Sequence, residues 1–291
     1  MRIDSHQHFW NYDPLKDAWI TDDMGPLKRD FVPADLLPLL QKAGVDATIA
    51  VQANQSEAEN LFLLGLAEKC PAIVGIVGWV DFCARNVAQR LGYFKQFNRI
   101  CGFRHVVQDE PDDHFLLRND FMNGIAYLKE LGFTYDLLIY PKQLPAVVDF
   151  IHKFPDQPFV IDHLAKPALK AREITGWARY MESIASNPNV YCKVSGLITE
   201  ADWSNWRASD FTPYLDVVFD NFGVNRVMFG SDWPVCLLAG TYEEVIRIVE
   251  DYVQRRPLGE KEKIFGSNAA HFYGVPSNSQ SVPELDHRVT Q

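Results

Sequence analysis

Short runs of apolar and β-branched residues alternate along the chain with longer stretches whose apolar positions recur at i, i+3, i+4 and i+7. The short runs predict strands at 2–8, 47–51, 73–80, 100–106, 135–140, 159–163, 190–196 and 226–232. The longer stretches predict helices at 35–44, 56–70, 86–97, 121–132, 180–187 and 242–256, each with one apolar face. Gly44 and Gly132 fall where helices should end, because glycine accepts the left-handed backbone of a C-terminal cap. Ser56 and Glu59 are spaced as a capping box.

Alternation of this kind implies parallel strands, since each crossover needs a helix. Eight such units predict an α/β fold, a distorted (β/α)8 barrel. An open doubly wound sheet usually carries a Gly-rich first turn, and no GxGxxG follows the first strand. The expected domain is 1–275, followed by a polar tail at 276–291. Residues 9–34 form a long aromatic and Pro-containing segment after the first strand, which a barrel places on the active-site rim.

Length and composition agree with this picture. The chain has 291 residues, 47% of them apolar, against about 250 for a typical barrel. Lys and Arg number 28 against 38 Asp and Glu, a formal charge of −10, which disfavours nucleic acid and anionic membrane surfaces as partners. No apolar run approaches the roughly 20 residues of a membrane helix, and the start lacks a signal-peptide pattern. Five scattered cysteines without a CxxC pair read as reduced thiols, and the expected location is cytoplasmic. The oligomeric state stays open, a homodimer among the options.

Candidate chemistry gathers at strand ends. His6 and His8 share one face of the first strand by parity. Two convergent imidazoles suit a divalent cation, or act as neutral donors that polarise a carbonyl; packed histidines are the ordinary alternative. Asp232 ends the eighth strand, adjacent to the first in a closed barrel, and either serves as a general base or caps the next turn. His163 ends the sixth strand; in a regular strand it points inward and Asp162 outward. One of Arg104 and His105 should face inward, and both are candidate substrate contacts. Lys193 shares a face with Ser195 and meets either substrate or an inner carboxylate. Trp10, Trp19, Trp79 and Trp233 are candidate walls for a sugar ring, though most tryptophans simply pack.

Taken together, HQHFW at 6–10, RDFVPADLLPLL at 29–40, GFRHVVQDEPD at 102–112, the DLLIY strand, IDHLAKP at 161–167, KVSGL at 193–197 and FGSDWP at 229–234 resemble the amidohydrolase superfamily, in its amidohydrolase-2 branch. They span nearly the whole chain. The resemblance implies a lactonase acting on an L-fuconolactone- or L-rhamnonolactone-like sugar lactone. In it, Asp232 is the general base, His6, His8 and His163 are metal-binding or carbonyl-polarising groups, and Arg104 contacts substrate. The bridging lysine or glutamate of two-metal members has no counterpart, so zero or one divalent cation is expected, zinc foremost. Rival readings are a metal-dependent decarboxylase or a pyrone-dicarboxylate lactonase of the same branch and, in another class, a non-catalytic sugar-acid binding protein.

Overall fold

A computed structural model describes residues 1–276. The expected tail thus lies, apart from Pro276, outside the described residues. Eight parallel strands follow one another around a barrel in chain order. They are β1 (Ile3–Gln7), β2 (Ala47–Val51), β3 (Ile73–Gly78), β4 (Ile100–His105), β5 (Thr134–Leu137), β6 (Phe159–Ile161), β7 (Val190–Val194) and β8 (Val227–Phe229). Every strand residue except Tyr191 is buried, as expected when helices cover the outside and side chains fill the inside.

The barrel closes between β1 and β8 through site residues themselves. Asp232 N donates to His6 O at 2.8 Å, and His8 N donates to Trp233 O at 2.7 Å. Gly230 makes this approach possible, because a Cβ there would stand 2.6 Å from His6 Cβ.

The outer layer follows the helical periodicity. Helix Tyr242–Tyr252 buries Tyr242, Val245, Ile246 and Val249, and Thr241 with Glu244 closes its N-terminus as a capping box. Gly44 and Gly132 end their helices in the left-handed conformation. The expected 121–132 helix is instead two short ones, Asn119–Ile125 and Leu128–Leu131. Helix Ala208–Phe222 lies where no helix was expected, although Phe211, Tyr214, Leu215, Val218 and Phe222 keep the helical spacing. Pro213 inside it disguises the pattern. Helix Asn268–Tyr273, the last among the described residues, joins Ile3, Ile49, Val77, Val160 and Met228 in one apolar cluster.

Candidate active site

Three imidazoles converge on one carboxylate oxygen. Asp232 Oδ1 lies 3.4 Å from His8 Nε2 and 3.8 Å from both His6 Nε2 and His163 Nε2. His6 and His8 bring their Nε2 atoms within 3.2 Å of each other. All four residues are buried, and His8, His163 and Asp232 line a cavity of about 610 Å³. Each imidazole is also held from behind. His8 Nδ1 lies 2.8 Å from the Val51 carbonyl, which only accepts, so Nδ1 carries a proton and Nε2 faces the site. His163 Nδ1 bonds Ser195 Oγ at 2.8 Å.

The sixth strand departs from the expected alternation. It ends at Ile161, and His163, Leu164, Ala165 and Lys166 all have φ between 48° and 57°. A left-handed backbone costs a non-glycine residue about 1–2 kcal/mol. Trp177 Nε1 donates to Leu164 O at 2.7 Å and Lys166 N to His163 O at 2.7 Å, which holds the turn. Asp162 and His163 therefore both reach the cluster, and the outward placement expected for Asp162 is corrected.

Asp162 anchors a buried ladder of charge. Arg104 Nη1 donates to its Oδ2 at 3.0 Å, and its Oδ1 lies 3.1 Å from Lys193 Nζ and 3.3 Å from His6 Nδ1. Lys193 also donates to Asp136 Oδ2 at 2.6 Å, and Tyr273 OH donates to the same oxygen at 2.8 Å. Two cations thus balance two anions in the ladder, whereas Asp232 has no Lys or Arg within ion-pair distance among the described residues. Burial pushes the Asp136 carboxyl up to about 6 despite Lys193. Burial would raise Asp162 too, but Lys193, His6 and Arg104 together hold it well below the carboxylate range. For Asp232 burial is likewise outweighed, by His163, His8 and His6, so it stays ionised in ordinary buffers. Burial lowers the His163 imidazole to about 4 and drives His6 well below its ordinary value, with Lys193 adding to the effect. Both are neutral near pH 7.

The His8 Nε2 lone pair faces the ionised Asp232 carboxylate, an arrangement that positive charge between them would relieve. His6, His8 and Asp232 offer ligand atoms within 4.8 Å of one another, as do His6, Asp162 and His163. A donor set of this composition fits a single divalent cation.

Arg104 lines the cavity, but its Nη1 is engaged by Asp162 and its Nη2 by Gln52 O at 2.6 Å and Gln52 Oε1 at 3.2 Å. Other expected substrate contacts do not line the cavity. Lys193 is wholly buried in the ladder. His105 stacks on Phe115 and bonds Glu110 Oε1 at 2.7 Å, because β4 turns Arg104 inward and its neighbour away. Trp79 donates to His105 Nδ1 at 3.3 Å. Trp10 donates to Arg29 O, and Trp233 packs edge-on to Phe9 and Phe31. Trp19 does line the cavity, and its Nε1 finds no partner among the described residues. Asp136, Lys166 and Glu200 were not singled out from sequence. Asp136 shares the inner parity of its strand; Lys166 was visible only as part of IDHLAKP.

The amidohydrolase family model matches residues 3–275. The chain belongs to the amidohydrolase family. It is 42% identical over 287 residues to the L-fucono-1,5-lactonase of Burkholderia multivorans, covering 95% of this chain and 97% of that one. It is 34% identical to the L-fucono-1,5-lactonase of Burkholderia ambifaria, covering 96% and 98%. A crystal structure of a Burkholderia multivorans amidohydrolase with bound zinc superposes with a TM-score of 0.91 at 41% identity, covering 95% of this chain and all of that chain.

Proposed function

We propose that this amidohydrolase opens a neutral sugar-acid lactone, of the L-fucono-1,5-lactone or L-rhamnonolactone type, by water attack on the lactone carbonyl. The observation that carries the reading is the convergence of His6, His8 and His163 on Asp232, with His8, His163 and Asp232 lining the cavity. Full-length similarity to curated L-fucono-1,5-lactonases supports the substrate class.

Asp232 accepts the proton of the attacking water, since it is ionised and buried against the cavity. Once protonated, it returns that proton to the departing ring oxygen. Ser195 orients His163, and the Val51 carbonyl orients His8, so neither ring reorganises during the reaction. Arg104 and Lys193 hold Asp162, which fixes His6 from behind. His6, His8, His163 and Asp232 would hold one zinc ion, and such an ion supplies Lewis-acid polarisation of the carbonyl. We read residues 1–275 as one domain. Its free cysteines, four of them buried, support a cytoplasmic setting, and no helix among the described residues is long and apolar enough to cross a membrane.

Asp232→Asn keeps the shape and removes the base. Acid release from L-fucono-1,5-lactone should fall at least about 100-fold in kcat, the size of general-base contributions, with an unchanged unfolding midpoint. Near-normal turnover would refute the assignment.

A further inference from the structure

The left-handed run at 163–166 delivers two side chains to the cavity. His163 joins the catalytic cluster, and Lys166, three residues on, lies on the wall. There its Nζ stands 3.3 Å from Glu200 Oε1 and 5.2 Å from the Tyr140 ring centre. Lys166 and Glu200 side chains are only 16% and 21% exposed. Glu200 is the one carboxylate within ion-pair distance of Lys166 among the described residues. A largely buried ion pair pays desolvation that its attraction need not repay, and a strained turn adds to that cost. Neither is required by the barrel, whose strands already close at β1 and β8.

The geometry points to Lys166 and Glu200 as a specificity-determining clamp for adjacent hydroxyl groups on the substrate ring. The inference rests on the sugar-lactone reading and sharpens it. An ammonium group only donates hydrogen bonds and a carboxylate only accepts them, whereas a hydroxyl does both. One substrate hydroxyl accepts from Lys166 Nζ while its neighbour donates to Glu200. A ring carboxylate could accept from Lys166, but it has no proton for Glu200 and is repelled by it. The pair therefore selects a neutral diol and rejects a dicarboxylate. The pair lines the same cavity as His163 and Asp232, which sets the diol beside the reacting carbonyl.

The test compares kcat/KM for L-fucono-1,5-lactone with that for δ-valerolactone, the same six-membered ring without hydroxyls. It is run on the wild type, Glu200→Gln and Lys166→Met. The ratio of the two constants should fall at least about tenfold in each variant, chiefly through KM, the scale of a lost hydrogen bond to a charged group. Equal losses on both lactones, or an unchanged ratio, would overturn the clamp while leaving the lactonase reading intact. Failure of the wild type to open the sugar lactone would overturn that reading, and the clamp with it. Glu200→Gln is nearly isosteric and decides the matter alone should Lys166→Met not fold.

Discussion

Asp162 and His163 are consecutive residues that serve the same buried cluster, which a regular strand forbids. Strand alternation puts His6 and His8 on one face, where their Nε2 atoms meet, and breaks down at β6 because the strand stops at Ile161. IDHLAKP contains neither glycine nor asparagine, and its Asp162 and His163, types enriched at positive φ, do not by themselves announce a run of four left-handed residues. Trp10, Trp79 and Trp233 do not line the cavity, which residue type alone could not tell, because a packed indole and a sugar platform look the same in sequence. Gly196 is a sharper case. Its φ is +64°, and a Cβ there would stand 2.8 Å from His163 Nδ1. Gly196→Ala should therefore displace His163 as well as strain the backbone. We expect a stability loss of about 1–3 kcal/mol and a larger proportional fall in kcat, read from denaturant unfolding and acid release. A variant with wild-type values of both would show that His163 does not depend on this contact.

At the level of elements, strand order and helix faces were written in apolar periodicity, whereas loop chemistry was not. Ser56 and Glu59 illustrate the difference. Ser56 Oγ does accept from Glu59 N at 3.3 Å, as the capping pattern predicts. The Glu59 carboxylate, however, reaches further back, to the amides of Ala53 and Asn54. Those residues line the cavity, so Glu59 ties the β2 loop to its helix. Burial lifts its carboxyl from 4.5 to about 7, against the pull of the two amides. The folded state then binds a proton that the unfolded chain has released. This contribution to stability is fully present below pH 4.5 and is lost as pH rises through about 7. The melting temperature of the wild type should accordingly fall between pH 5 and pH 8 by more than that of Glu59→Gln, which cannot ionise. Parallel melting curves for the two proteins would assign the pH dependence elsewhere.

Across the whole molecule, the eightfold alternation gave the barrel, and the barrel placed His6, His8 and Asp232 at one seam. The charge ladder of Arg104, Asp162, Lys193 and Asp136 was hidden, because three strand residues and one from the turn after β6, all distant in sequence, meet only once the sheet has curled. Its cations are consumed within the protein. A dianionic substrate would thus meet few free cations and several carboxylates, in a chain whose formal charge is −10. A neutral polyhydroxylated lactone needs no such cations, and the cavity offers it Trp19, Lys166 and Glu200. The measurement that bears most directly on this account is kcat/KM of the wild type for L-fucono-1,5-lactone against that for 2-pyrone-4,6-dicarboxylate, under one buffer and metal condition. The account predicts a preference for the sugar lactone of at least about 100-fold, as expected when buried carboxylates lack partners. A preference for the dicarboxylate would contradict it.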